Sequence, residues 1–230
     1  MVTDVSDKPH DRILRAAVRL YSHEGIQAVG VTRIIAEADV APTTLYRQFR
    51  SKDQLVAAAV QRWSADWLGW LRDQMDRGGD DPRARLEGLW GALAEWFATE
   101  RFRGSFVANA AAELRGRPDH PAHDAIAEHR AAIRELLEDL AGLGGADDPA
   151  VLAGQLLVLV DGAIAIATVE RRPEAAARAS RLATALLTYG VGAGATPAPG
   201  AAFCRGRANG VAGTTIAART AALTAPRRRS

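Results

Sequence analysis

The chain has 230 residues, 48% hydrophobic and 24% charged, enough for one or two domains with a sizeable core. Six arginines and no acids lie from Ala195 onward; without them 23 basic face 27 acidic residues, so the net +2 comes from the tail. A single cysteine, Cys204, excludes a disulfide framework and a multi-cysteine zinc site.

Alanine and leucine dominate, and apolar residues do not alternate with period two, so the expected fold class is all-α. Residues 1–9 form an arm with no visible signal peptide. Pro9 leads a first helix to about Glu24, with Ile13, Ala16, Ala17 and Leu20 inward and Gly25 as its stop. Two short helices follow, about 31–38 and 42–49, joined by the turn Asp39-Val40-Ala41, and Pro42 stands where a helix accepts proline. Leu45 and Phe49 fall four apart and point into a core. Thr43, Thr44, Tyr46, Arg47 and Gln48 are left for the outer face. Short polar groups and a guanidinium on an exposed helix suit a groove of DNA.

Ser51 and Gln54 make a capping-box pattern that opens a long fourth helix, to about Met75. Val56, Val60, Trp63, Trp67 and Trp70 share one stripe of it. A break at Arg77-Gly78-Gly79-Asp80 precedes a fifth helix, Pro82 to about Thr99, carrying Leu86, Leu89, Leu93, Trp96 and Phe97. The sixth runs over about 105–115, the seventh over about 120–140, the eighth from Pro149 to about Glu170, and the ninth from Pro173 to about Val191. From residue 193 the Ala/Gly/Pro/Thr/Arg mixture has no useful periodicity and is expected to be disordered. Gly190, Gly192 and Gly194 follow a helix and not a strand, so they are a hinge rather than a cofactor loop.

Two readings of the aromatic residues stay open. Trp63, Trp67, Trp96, Phe102 and Phe106 fill a core or wall a ligand cavity, in which Asn109 and Glu113, four apart, would be polar anchors. His120, His123 and His129 suggest a metal cluster, but His123 and His129 are six apart and face different sides of a helix, so no metal site is expected. The apolar run 151–169 holds Gln155 and Asp161 near its middle and is read as an interface helix, not a membrane span.

The stretch Thr32 to Lys52 resembles the DNA-binding domain of the tetracycline-repressor (TetR) family of bacterial regulators. The resemblance covers about 11–55 and rests on Gly25, Ile34, Ala38, Val40, Pro42, Thr44-Leu45-Tyr46, Phe49 and Ser51-Lys52. Asp39 stands where a turn glycine is common, Ala41 and Gly30 where hydroxyl caps are common, and Gln48 where His or Tyr often precedes the Phe. The resemblance implies a helix-turn-helix head at 10–55 and a helical effector-binding and dimerisation domain at 56–192. It implies DNA-facing roles for Thr32, Arg33, Thr43, Thr44, Tyr46, Arg47, Gln48 and Lys52, with Tyr46 and Lys52 on phosphates. It also implies a homodimer through the last two helices, with Leu152, Leu156, Leu159, Ala163, Ile166, Leu182, Leu186 and Tyr189 at the interface.

The function expected is a cytoplasmic, ligand-responsive repressor that binds a near-palindromic operator on double-stranded DNA and is released by a small apolar or amphipathic effector. It needs no cofactor, metal or membrane. The alternatives are an effector-independent dimeric regulator and a helical enzyme, for which no nucleophile elbow, P-loop, zinc or dinucleotide motif is present.

Overall fold

The computed structural model describes residues 8–100 and 102–189, which hold nine helices and no strand. The helices are α1 (Pro9–Glu24), α2 (Val31–Ala38), α3 (Pro42–Gln48), α4 (Lys52–Asp76), α5 (Pro82–Ala98), α6 (Phe106–Leu114), α7 (Ala122–Leu143), α8 (Pro149–Glu170) and α9 (Glu174–Tyr189). Cys204, the terminal arginines, the glycines after Tyr189 and the expected disorder of the tail all lie outside the described residues.

Local chemistry sets most boundaries. Pro opens α1, α3, α5 and α8, where the missing N–H has no intrahelical acceptor to lose. Asp81, Ser105 and Asp148 cap α5, α6 and α8 through backbone amides of the first turn. Ser51 accepts from the Gln54 amide, and Gln54 reaches back to the Arg50 amide rather than to that of Ser51. The turn after α2 passes through Asp39 at φ 49°, ψ 58°, the left-handed conformation that Asp tolerates well among non-glycine residues.

Two cores form. The first joins α1, α2 and α3 to the opening turns of α4 through Ile13, Ala17, Leu20, Ile34, Leu45, Phe49, Leu55 and Val56. It does not end at residue 55, because Val60 of α4, Phe106, Val107, Ala110 and Leu114 of α6, and Ala122 and Ala125 of α7 complete it. The second fills the space between α4, α5, α7, α8 and α9, with Leu71, Met75, Leu89, Leu93, Leu137, Leu156 and Ala183 at its centre. α4 therefore runs through both cores. Gly88 lets α5 cross it closely, since a Cβ there would meet the Gln74 carbonyl oxygen at 2.6 Å.

By length and composition α8 could cross a membrane. One face of it is buried in the second core through Leu152, Leu156, Val160, Ala163 and Ala167. Asp161 of the same helix forms a two-bond ion pair with Arg130 of α7, both contacts at 2.8 Å.

Candidate nucleic-acid interface and internal cavity

The helix α3, second of the helix-turn-helix pair, is held from beneath. Leu45 and Phe49 are buried, and His10 stacks on the Phe49 ring at 5.2 Å. The Arg12 guanidinium donates to the Asp39 carbonyl and ties α1 to the turn between α2 and α3. Arg19 pairs with Glu37, a second link between α1 and α2. These contacts leave Thr43, Tyr46, Arg47 and Gln48 exposed and Thr44 half-buried, on the expected face. Among the described residues their side chains bond to no protein group. Tyr46, with 54% of its surface open, is a large apolar ring standing in water beside polar neighbours.

Two members of the expected set are placed otherwise. Arg33 is exposed on α2, but its guanidinium pairs with Glu24 at the end of α1. Lys52 is half-buried, and its ammonium donates to the Ile26 carbonyl at 2.7 Å. Burial lowers the Lys52 pKa, against the opposing pull of Asp53 and Glu113. Its position at the start of α4 turns the amine back toward the α1–α2 turn, which the linear sequence does not reveal. Thr32 is exposed at the opening of α2 without a partner among the described residues.

Glu113 corrects the expectation of a cavity anchor. Its carboxylate accepts from the Ile26 amide at 3.1 Å and the Gln27 amide at 2.9 Å, so it clasps the turn between α1 and α2. Gly25 makes room for it: φ is 89°, and a Cβ would sit 3.1 Å from a Glu113 oxygen. Next to this clasp, Asp53 at the start of α4 receives two bonds from Arg117, and His120 Nε2 lies 3.3 Å from the same carboxylate. The Arg117 bonds hold the Asp53 pKa below the usual carboxylate range, and burial lowers that of His120. His120, His123 and His129 go to separate partners: Asp53, the Arg117 carbonyl and Ser64.

A cavity of about 650 Å³ lies among α4, α6, α7 and α8. Trp63 and Trp67 wall it on α4, stacked at 5.8 Å with 10° between their planes. Val107, Ala108 and Asn109 line it from α6, Ile126, His129, Arg130 and Ile133 from α7, and Val160, Asp161, Ile164 and Thr168 from α8. Of the expected ligand set, Trp63, Trp67 and Asn109 line this space. Trp96 and Phe102 do not; they pack edge to face at 5.0 Å behind the tryptophan pair. Phe106 is also behind the wall, T-shaped against Trp63 at 6.2 Å and buried. The two open readings of the aromatics are thus divided along one cluster, its front lining the cavity and its back filling the core.

His129, Arg130 and Asp161 were not expected at the cavity. The signal for His129 was present: it shares the buried stripe of Ala122, Ala125, Ile133 and Leu140. Burial and the neighbouring Arg130 push its pKa down to about 4, so the ring is neutral near pH 7.

The expected dimer set also divides. Leu152, Leu156 and Ala163 are buried in the chain's own second core and have no surface left for a partner. Leu159 and Leu186 are partly covered by it. Ile166 and Leu182 remain exposed, while the side chain of Tyr189 lies outside the described residues. The outward face of α8 instead carries Val151, Gln155, Val158, Ala165 and Val169, with Val158 70% and Val169 83% exposed.

A three-helix head with an exposed polar second helix in its helix-turn-helix, set on a helical body, defines a helix-turn-helix DNA-binding protein. Residues 13–59 match the family described as bacterial regulatory proteins, tetR family. The chain is 26% identical over 150 residues to the HTH-type transcriptional repressor KstR2 of Mycolicibacterium smegmatis, covering 64% of this chain and 71% of that protein. It is 24% identical over 177 residues to the HTH-type transcriptional regulator YjdC of Escherichia coli, covering 77% and 92%. A crystal structure of a TetR-family transcriptional regulator from Streptomyces coelicolor superposes with a TM-score of 0.70 at 28% identity, over 80% of this chain and 96% of that one. The chain is a DNA-binding transcriptional regulator of the TetR family, a family of regulators and not of enzymes.

Proposed function

We propose that the chain is a homodimeric repressor released from its operator by a small apolar or amphipathic molecule that enters the cavity. The observation that carries this reading is structural economy: α4 and α6, which wall the cavity, also hold the head. α4 supplies Trp63 and Trp67 to the cavity and Asp53 to the Arg117 pair; α6 supplies Asn109 to the cavity and Glu113 to the α1–α2 turn. A ligand that prefers one arrangement of these two helices would bias the position of the head. A void of this size also weighs against an effector-independent protein, whose body would need only a filled core. Residues 10–55 act as the head, residues 56–192 as the effector and dimerisation region, and the protein works in the bacterial cytoplasm. The repressor name of the mycobacterial relative favours repression as the sign.

On DNA, the exposed face of α3 enters a major groove, and the two heads of a dimer reach half-sites about one helical turn apart, roughly 34–36 Å. Tyr46 holds a phosphate, while Thr43, Thr44, Arg47 and Gln48 lie nearest to bases. Lys52 reaches a phosphate only by giving up the Ile26 carbonyl. The test is a gel-shift titration against the DNA flanking the protein's own gene, at two salt concentrations. The expected outcome is saturable, salt-dependent binding to one fragment, weakened about tenfold or more by Tyr46→Ala. Equal, weak binding to every fragment, unaltered in the variant, would count against sequence-specific recognition by this face.

A further inference from the structure

The polar groups around the cavity differ in what they have left to offer. Asn109 donates to the Arg103 carbonyl, Thr168 to the Ile164 carbonyl, and Ser105 is occupied in capping α6. Arg130 and Asp161 neutralise one another through two bonds. The Trp67 indole N–H is buried and meets no protein acceptor among the described residues. His129 is 94% buried, and Nδ1 is held by Ser64 Oγ at 2.8 Å. Nε2 bonds to no protein group among the described residues. The Ser64 hydroxyl has no other acceptor there, so it donates to Nδ1, and the ring proton sits on Nε2. His129 lines the cavity, and its unpartnered Nε2 is not among the fully buried polar atoms, so this edge keeps surface open to a ligand. The Trp63 and Trp67 rings stand 5.9 and 5.6 Å from this imidazole.

We propose that the effector is an uncharged, ring-bearing molecule whose carbonyl or ether oxygen accepts a hydrogen bond from His129 Nε2 while its ring lies against Trp63 and Trp67. This inference rests on the reading of the cavity as an effector site. An uncharged ligand follows from the surroundings. No unpaired charge lines the space among the described residues, and a buried ion without a partner is costly. The acceptor follows from the unpartnered donor, because a bound hydrocarbon would shut water away from the N–H without replacing it. The volume of about 650 Å³ suits a molecule of two to four rings.

Equilibrium dialysis of the purified full chain at neutral pH tests this with three matched probes: 2-acetylnaphthalene, 2-ethylnaphthalene and 2-naphthoate. The ketone is expected to bind about five- to tenfold tighter than the hydrocarbon, since a buried donor left unpaired costs about that factor. His129→Leu should abolish the difference, and His129→Gln, which keeps a donor, should retain part of it. The wild-type comparison of ketone and hydrocarbon needs no variant, so a misfolded substitution leaves the question answerable. Equal binding of both neutral probes overturns the hydrogen bond but leaves the effector cavity standing. Tightest binding of the naphthoate, lost in Arg130→Gln, overturns the neutral-ligand inference in favour of an anion exchanging with Asp161. Failure of all three to bind removes the effector reading itself.

Discussion

His129 is a group whose protonation the fold suppresses, and acid should expose that. The unfolded imidazole takes up a proton near 6.5, while the native one does so only at about 4. Its contribution to stability is therefore complete above pH 6.5 and is lost as the pH falls from 6.5 toward 4. Discounted for solvent reaching the cavity, the loss from this one group between about pH 7 and about pH 5 is ~1–2 kcal/mol. Urea unfolding at those two pH values should show a smaller decline for His129→Gln by that amount. An identical decline in both proteins would mean that the native ring takes up its proton as readily as the unfolded one. Lys52 offers a second lesson at this scale. A lysine placed by sequence for a phosphate spends its ammonium on a backbone carbonyl, because the α1–α2 turn lies within its reach.

Between elements, the decisive contacts are the clasp of α6 on the α1–α2 turn and the pair between Asp53 of α4 and Arg117 beyond α6. The clasp spans 87 positions of sequence for the Ile26 amide. Glu113→Ala should leave both amides open, at a cost of about 1–2 kcal/mol softened by the solvent that can replace the carboxylate. The direct measurement is hydrogen exchange at Ile26 and Gln27, expected to rise about tenfold in the variant. Unchanged exchange at these two amides would show that the carboxylate is not their partner in solution. Under the proposed effector mechanism, the same variant should lower the release of operator DNA by a cavity ligand, because one of the contacts tying α6 to the head is gone.

For the whole molecule, an apolar face is left over. α8 is apolar on both sides: its inner face fills the core, and its outer face leaves Val151, Val158 and Val169 to solvent, while α9, which packs against α8, exposes Leu182. Ala165 and Val169 also line the cavity, so a partner packed on this face would lie at its rim. A dimer through this face predicts opposite outcomes for two kinds of substitution. Val158→Glu combined with Leu182→Glu should halve the mass seen by light scattering while leaving the monomer folded. Leu156→Ala should cost about 2–5 kcal/mol of stability and leave association intact. A dimeric mass that survives the paired glutamates would place the interface elsewhere.

The sequence by itself determined the helical class, the nine helices of the described residues to within a few positions, the exposed polar face of α3 and the aromatic stripe of α4. These features are written in local periodicity, caps and turn residues, which act over a few positions. It did not determine which of two apolar faces of α8 turns inward, because a helix apolar all round has no periodic signal to read. Nor did it separate Trp63 and Trp67, at the cavity, from Trp96 and Phe106 behind them, since all are bulky apolar residues at helical spacing. Glu113 and Asn109, four apart on one short helix, looked like a pair, yet one reaches the head and the other the cavity. Partners dozens of residues away make those choices, through the packing of α4, α6, α7 and α8 against one another.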